Sequence, residues 1–571
     1  MTQNDLTPSN AYTPAASPSA VAAPSGPPSA PRMVTRICTA LAVVLSLGLF
    51  LSRSFAQQFD FGVANILTLI MGFFAWLSLI IGLATSKLPR WYWRTAALAP
   101  IILVAVAMSL LRIVRIDGEL LPQFESRWST GVELTENADS HTGHAVDPQL
   151  LEPRATDFTQ FLGSDRNGSV LGVSLETDWK ANPPQILWKQ SLGAGWSGFA
   201  VQGDVAVTLE QREQEQWISA YEVESGRMLW HTAVPGYHFN VMGGAGPRST
   251  PTIDGGRVYA HMASGQLVCV DLDTGKQLWE VDLLRIGGWD QSTAEAAVAW
   301  GRAGSPLVTN GKVIVPLGGP SPEGRSLIAI NSEDGNILWR AGEDQISYSS
   351  PSLMTIKGVE QIVMVNENTV TGHDIELGTV LWTIPWAGQS NGAANVSQTT
   401  QLSDERLLFS KGYSQGAQVV EFSRDESRGE AKAWTFEVIW RDASVLKTKF
   451  TSPVVVGEYA YGLSDGILEC VRLSDGERQW KKGRYRQGQL LLVGDVLLIT
   501  SESGAVVLVA ADPTKFNELA KLDVIGDVTW NTPALSGDRL LIRNAEEAAC
   551  LRLPTRSSET SPISSPSPKA L

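Results

Sequence analysis

A chain of 571 residues exceeds the size of one ordinary compact domain, and its apolar fraction of 43% is typical of folded protein. The net charge of −14 leaves no basic surface to neutralise phosphates, so nucleic acid is excluded as an expected partner. The four cysteines are far apart and form no C-x-x-C motif, which excludes a cysteine metal knuckle and a c-type haem site.

The N-terminal part predicts a membrane anchor. Residues 1–33 are rich in Pro, Ala and Ser and predict a disordered tail. Three apolar stretches follow at 37–52, 61–84 and 96–111, with lengths close to those that cross a bilayer. We therefore expect a three-helix transmembrane anchor over residues 34–115, with the lipid bilayer as its partner.

Positive charge predicts the orientation of these helices. Five cations (Arg32, Arg36, Lys87, Arg90 and Arg94) flank one side of the three spans, and three (Arg53, Arg112 and Arg115) flank the other. Because cytoplasmic loops carry the excess of Lys and Arg, we expect a cytoplasmic N-terminus. Three crossings then place the rest of the chain on the periplasmic side of the inner membrane. Residues 116–157 are acidic with little periodicity and predict a linker.

An internal repeat dominates the remaining sequence. Five segments share one frame in which a glycine precedes a tryptophan by four positions; they end at Trp230, Trp279, Trp339, Trp382 and Trp480. Trp188 and Trp440 continue the series without the glycine, and successive tryptophans lie 40 to 60 residues apart. A period of this length with strand-like content is typical of four-stranded propeller blades.

Proline and small residues support the same frame. Ser-Pro or Thr-Pro opens most repeats, as at Thr250-Pro251 and Ser452-Pro453, and proline is tolerated at the first residue of a strand. Six positions before each turn glycine stands a small residue; the column comprises Ala220, Cys269, Ala329, Gly372 and Cys470, with Cys550 at the matching place. We interpret these cysteines as small core residues rather than redox groups.

The count of repeats predicts an all-β fold with eight blades over residues 158–554. Residues 488–522 form a seventh repeat without tryptophan, and residues 529–553 supply only three strands of an eighth. The strand at 186–192, which carries Trp188, is expected to complete it and close the ring. Seven blades remain the alternative. Residues 555–571 predict a second disordered tail.

The repeats resemble the PQQ-like repeat of quinoprotein-type propellers. The segment Val270-Asp-Leu-Asp-Thr-Gly-Lys-Gln-Leu-Trp279 matches its core almost letter for letter, and residues 161–168 are similar to the entry segment before the first blade in bacterial membrane-anchored members. This resemblance implies that the tryptophans dock between neighbouring blades. They are Trp188, Trp230, Trp279, Trp339, Trp382, Trp440 and Trp480.

The resemblance leaves two functions open. Some members are non-enzymatic scaffolds similar to BamB-type envelope assembly factors, and others are quinoprotein dehydrogenases that bind PQQ and calcium and oxidise a sugar or alcohol. The sequence has no vicinal cysteine pair, no long insertions and no match to the catalytic or calcium-binding motifs. We therefore expect a scaffold with a protein partner in the cell envelope, no catalytic residue and no cofactor or metal. A membrane quinoprotein dehydrogenase with PQQ and calcium is the alternative, and a sugar- or small-ligand-binding propeller is a third reading.

The candidate ligand or partner site lies in the loops that enter the innermost strands, at one end of the channel. Two of these loops, 237–248 and 285–302, are long and combine aromatic, amide and cationic groups. Such groups are typical of binding hot spots. The candidates are Trp196, His238, Asn240, Arg248, Trp289, Trp300, Arg302, Asn391, Lys449 and Trp530, with His238 and Arg248 the strongest.

Overall fold

The computed structural model describes residues 30–54, 61–128, 145–429 and 433–556, and it contains two compact units. The predicted tails 1–33 and 555–571 fall largely outside the described residues. The first unit consists mainly of three helices, α1 (Ala30–Ser54), α2 (Phe61–Thr85) and α3 (Arg90–Leu110). All three are long and apolar enough to cross a membrane, and α1 and α3 are longer than the apolar runs in the sequence.

The second unit contains a hairpin of β1 (Leu111–Ile116) and β2 (Pro122–Ser126). β1 lies at the end of the segment predicted as the anchor, and β2 lies in the predicted linker. Farther along that segment a 3-10 turn covers Pro148–Leu151. Two strands precede the first blade: β3 (Ser169–Val170) and β4 (Gln185–Ser191).

The remaining strands form eight blades, and this confirms the predicted propeller and excludes the seven-bladed alternative. Blade 1 contains β5 (Ala200–Gln202), β6 (Val205–Arg212), β7 (Glu215–Glu222) and β8 (Met228–Pro235). A short hairpin of β9 (Phe239–Asn240) and β10 (Gly244–Ala245) follows. Blade 2 contains β11 (Thr252–Asp254), β12 (Arg257–His261), β13 (Gln266–Asp271) and β14 (Gln277–Asp282). Two short helices, α4 (Leu283–Gly287) and α5 (Gln291–Ala297), follow it.

Blades 3 to 5 have the same four-stranded order. Blade 3 contains β15 (Leu307–Thr309), β16 (Lys312–Pro316), β17 (Leu327–Asn331) and β18 (Ile337–Ala341). Blade 4 contains β19 (Ser352–Ile356), β20 (Val359–Val365), β21 (Thr369–His373) and β22 (Val380–Pro385). Blade 5 contains β23 (Thr400–Gln401), β24 (Arg406–Lys411), β25 (Gly416–Arg424) and β26 (Trp434–Asp442), with a 3-10 turn at Glu426–Arg428.

Blades 6 to 8 complete the ring. Blade 6 contains β27 (Val454–Val456), β28 (Tyr459–Ser464), β29 (Ile467–Arg472) and β30 (Arg478–Arg484). Blade 7 contains β31 (Gln489–Val493), β32 (Val496–Thr500), β33 (Ala505–Ala510) and β34 (Glu518–Asp523), with β3 pairing parallel to β31. Blade 8 contains β35 (Ala534–Ser536), β36 (Arg539–Arg543) and β37 (Glu547–Arg552), and its fourth strand is β4, where Trp188 faces Cys550. The two chain ends of the propeller are therefore paired, as predicted.

The column of small residues makes room for the tryptophans. Ala220, Cys269, Ala329, Gly372, Cys470 and Cys550 each lie directly opposite the tryptophan of their own blade. Burial raises the pKa of the thiols of Cys269, Cys470 and Cys550 to about 12, so these cysteines stay protonated at neutral pH. They serve as core residues with no disulfide partner.

The tryptophans join neighbouring blades through the turn glycines. Trp230 is fully buried, and its indole N–H donates to the carbonyl of Leu272 in blade 2 at 2.9 Å. A Cβ atom on Gly275 would lie 2.6 Å from the Trp230 ring, so the ring rests on a bare glycine of the next blade. Six of the seven predicted docking tryptophans donate to a carbonyl of the following blade in this way.

Trp382 is the exception among the seven. Its indole N–H donates to Gln361 of its own blade at 2.6 Å, while its ring packs against Phe422 of blade 5, with centroids 4.7 Å apart. Blade 5 has a long hairpin in place of the glycine turn, because β25 and β26 have nine residues each. A bulky phenylalanine therefore covers this indole instead of a glycine.

A belt of hydrogen bonds links the innermost strands around the channel. The N–H of Gly198 donates to the hydroxyl of Thr250 at 3.2 Å, that of Thr250 to Ser305 at 2.9 Å, and that of Ser305 to Ser350 at 2.9 Å. Farther round, the N–H of Gln398 donates to Ser452 at 2.9 Å. The Ser or Thr before proline therefore connects one blade to the next.

Candidate functional site

A funnel of about 440 Å³ lies at the end of the channel where the innermost strands begin. Its lining residues stand at equivalent positions in successive blades. The belt residues form one ring, and the residues two positions before them form a second; this second ring includes Trp196, Arg248, Ala303, Tyr348, Val396, Phe450 and Trp530. Among the described residues, seven of the eight blades therefore contribute an equivalent position, and the identity of its side chain decides the character of the funnel.

Two aromatic clusters line the funnel wall. Trp530 lies 4.7 Å from Trp196 and 5.0 Å from Phe450, measured between ring centroids. Trp300 stacks on Tyr348 at 5.1 Å, and the hydroxyl of Tyr348 accepts the backbone N–H of Trp300. Wide, rigid aromatic surfaces of this kind are typical of binding sites for proteins and for small ligands.

Two cations line the same funnel. The guanidinium of Arg248 donates to the carbonyls of Gly243 at 2.7 Å and Gly244 at 3.0 Å, and also to Gly246. Burial lowers the pKa of Arg248 to about 9, because none of its hydrogen-bond acceptors carries a charge. Lys449 is 7% exposed, and its ammonium lies 5.6 Å from the ring centre of Tyr413.

The structure brings six of the ten predicted site residues together. Trp196, Arg248, Trp300, Asn391, Lys449 and Trp530 line the funnel. Asn391 also links two loops, because its side chain donates to Ala296 and accepts the N–H of Ala299 at 3.0 Å.

The other four predicted residues lie outside the funnel lining. His238, one of the two strongest candidates, is 3% exposed and packs against Gly301 behind the wall. Asn240 accepts the N–H groups of Met242 and Gly243 and so holds its own loop. Trp289 and Arg302 pack on each other below the helical loop, with the guanidinium 5.3 Å from the ring centre.

Sequence reasoning missed several lining residues. Tyr348, Phe450 and Gln398 belong to the two rings, and counting from the Ser-Pro frame could have found the first two. Asp117, Gly118 and Leu120 also line the funnel, and they come from the turn between β1 and β2. No periodic signal marks that turn, because its contact with the propeller spans more than 350 residues of sequence.

The donor set of the funnel does not fit a calcium ion. Calcium takes six to eight oxygen ligands, usually with several carboxylates. Of the funnel residues in the described part of the chain, only Asp117 has a carboxylate, and no group of three or more His, Cys, Asp or Glu side chains among the described residues could hold a metal. We therefore derive no chemistry from PQQ and calcium at this site.

Eight blades joined by tryptophans and closed by an N-terminal strand define a β-propeller of the PQQ-repeat class. The chain belongs to the family whose model is described as outer membrane protein assembly factor BamB, which matches residues 179–283 and 214–482.

The individual relatives include BamB proteins and a quinohemoprotein alcohol dehydrogenase. BamB of Yersinia pestis is 21% identical over 402 residues, 68% of this chain and 90% of the relative, and BamB of Bordetella pertussis is 22% identical over 68% of this chain and 89% of its own. A quinohemoprotein alcohol dehydrogenase, ADH IIB of Pseudomonas putida, is 30% identical over 104 residues, but the match spans only 17% of this chain and 14% of the enzyme. The crystal structure of BamB from Moraxella catarrhalis is 13% identical, with a TM-score of 0.45 over 65% of this chain and 100% of that one.

Proposed function

We propose that this chain is a non-enzymatic, membrane-anchored scaffold that binds a protein partner of the cell envelope at the funnel end of its propeller. The observation that carries the proposal is the make-up of the funnel, whose described lining contains several aromatic rings, the cations Arg248 and Lys449, and one carboxylate, that of Asp117. Catalysis by a nucleophile, a base and an orienting group would need a different set of side chains. The alignments with the two BamB relatives span 90% and 89% of those proteins, and this similarity supports a role in envelope assembly.

The rim of the funnel supports binding of a protein rather than a small molecule. Tyr237, Phe239, Val241 and Met242 are 39–46% exposed and follow one another on a single loop. A contiguous exposed apolar patch beside buried tryptophans has the anatomy of an interface, with anchor pockets at its centre.

A photo-crosslinking amino acid at Phe239 in the full chain is expected to form one discrete adduct with an envelope protein in living cells. The matched control is Leu377, which is 74% exposed in the turn between β21 and β22, at the opposite end of the blades. Because the partner is expected only at the funnel end, Leu377 should give no adduct. Adding Met242→Glu beside the probe should lower the yield several-fold, since it places a charge in the apolar rim.

The dehydrogenase alternative is tested with the full chain purified in detergent. Addition of PQQ and calcium should produce neither a bound-quinone absorption band nor dye-linked oxidation of sugars or alcohols. Turnover in that assay contradicts the scaffold proposal.

We also propose that the propeller lies on the periplasmic side of the inner membrane, on the charge count that flanks the three helices. An alkaline phosphatase fused after Leu553 is expected to be active, because that enzyme needs an oxidising compartment. The same reporter inserted after Lys87, between α2 and α3, should be inactive. The reverse pattern contradicts the orientation.

A further inference from the structure

The turn between β1 and β2, residues 117–121, is bound at the funnel mouth as a peptide ligand would be. The backbone N–H of Gly118 donates to a carboxylate oxygen of Glu502 at 2.7 Å, and the same oxygen accepts the indole N–H of Trp530 at 2.9 Å. A Cβ atom on Gly118 would lie 2.5 Å from the side chain of Gln487 and 2.7 Å from Glu502. A larger residue at this place would therefore push against the side chains of Gln487 and Glu502.

Charge complementarity holds the two flanking residues. Asp117 is 6% exposed and Glu119 is 7% exposed, so both carboxylates are largely removed from water. Glu119 forms an ion pair with Arg484, and Arg486 lies 3.8 Å from both Asp117 and Glu119. Next to them, Leu120 points its side chain into the cavity lining. The mouth therefore recognises an acidic turn with a central glycine and an aliphatic residue.

Two features of this contact are compatible with exchange of the turn for another segment. The side chains of Arg484 and Arg486 are 31% and 44% exposed, so solvent screens the arginine side of these ion pairs. Leu120 and Arg486 have positive φ angles of 61° and 54°. Asp527, which forms an ion pair with Arg115 of the hairpin, also has a positive φ angle, 63°. Left-handed backbone at non-glycine residues is strained and is found in ligand clamps and switch regions.

We propose that the funnel mouth is a docking site for an acidic turn of a protein partner, which residues 117–121 occupy in cis until the partner replaces them. The proposal rests on the scaffold function above and specifies the chemistry of the partner's segment. That segment presents two carboxylates to Arg484 and Arg486, a glycine against Gln487 and an aliphatic side chain to the aromatic wall. The resident turn then sets the affinity that a partner must exceed.

The test uses a fluorescent synthetic peptide of residues 111–126, cyclised through added terminal cysteines, and the full chain in detergent. The variant Gly118→Val expels the resident turn, so the peptide is expected to bind it at least tenfold more tightly than it binds the unaltered chain. Gly526→Val is the matched control, because a Cβ atom at this exposed glycine meets nothing within 4 Å. It should leave binding of the peptide as in the unaltered chain.

Two further arms test the recognised chemistry. A peptide with valine in place of its glycine, or with Asn and Gln in place of its two acids, should bind the Gly118→Val chain at least tenfold more weakly. The double variant Asp117→Asn with Glu119→Gln loosens the resident turn without adding bulk, and it should also bind the unaltered peptide more tightly than the parent chain. This second variant keeps the test decisive where Gly118→Val lowers the yield of folded protein.

The docking proposal is overturned if the unaltered peptide binds neither the Gly118→Val chain nor the double variant while both variants melt as the unaltered chain does. Equal binding of the charge-neutral peptide overturns its ionic part. The scaffold function is judged separately by the adduct from the Phe239 probe: an adduct without peptide binding removes only the docking proposal, and loss of the adduct at the funnel end removes the scaffold function. Under the proposal, Gly118→Val should increase the adduct yield several-fold.

Discussion

Deletion of residues 185–192 is expected to abolish cooperative folding of the propeller. The deletion removes β4, the fourth strand of blade 8, and with it the ladder to β37 that closes the ring. The exposed edge of β37 and the uncovered blade 1 would then be open to aggregation. Deletion of residues 557–571, a Ser- and Pro-rich stretch outside the described part of the chain, should leave the melting temperature unchanged.

Single substitutions of docking tryptophans test the packing between blades, both within the ring and at the blade that closes it. Trp230→Ala removes a fully buried indole and should lower the free energy of unfolding by about 3–5 kcal/mol. Trp188→Ala should cost less, about 2–3 kcal/mol, because this indole at the closing strand is only partly buried, although it still donates to Val223 at 2.8 Å. Thermal and urea melts of the full chain in detergent measure both. Equal melting temperatures for the two deletions contradict the closure by β4.

The fold could be read from the sequence because its determinants repeat. Each blade needs a tryptophan, a small residue opposite it and a glycine on which the neighbouring tryptophan rests, so every repeat carries the same marks. Cys269 and Cys550 could be assigned to the core because alanine stands at the same place in other blades. The strand that closes the ring was predictable as well, since the last repeat lacked one strand.

The funnel was only partly predictable because its residues have no common chemistry. Trp196, Arg248 and Tyr348 are equivalent in the frame, yet they share no property that a pattern would select. His238 was favoured because it stands in a glycine-rich loop, but the loop turns it inward against Gly301. The turn at Gly118 lies in a segment that reads as a linker, and only the folded chain brings it beside Glu502.

Acidification from pH 6.5 to 5 is expected to lower the free energy of unfolding of the propeller by about 5 kcal/mol through three buried histidines. His238, His261 and His373 are at most 3% exposed. Burial lowers the pKa of His238 and of His261 to about 3, with Arg248 and Arg302 as the nearest cations, and lowers that of His373 to about 4.

The sign follows from proton binding. The unfolded chain binds protons at these imidazoles near pH 6.5, whereas the folded chain does not until pH 3 to 4, so their stabilising effect is complete above 6.5 and is lost as the pH falls. For each histidine the slope is about 0.7 kcal/mol per pH unit at pH 6.5 and approaches about 1.4 kcal/mol per pH unit near pH 5, because the unfolded imidazole is half protonated at its own pKa. Urea melts at pH 7.5, 6 and 5 measure the combined slope.

Replacement of all three histidines by asparagine should remove most of this slope. The asparagine amide can still donate where His261 lies 2.8 Å from the carbonyl of Gly304 and where His373 lies 3.0 Å from that of Gly378, so folding at neutral pH is expected to survive. His231→Asn is the comparison variant: this ring stacks on Trp217 at 3.9 Å and is only partly buried, and because burial lowers its pKa as well, its replacement should remove a smaller part of the slope. An unchanged slope in the triple variant would assign the acid sensitivity to carboxylates instead, and the three imidazoles would then have to accept protons within the folded propeller.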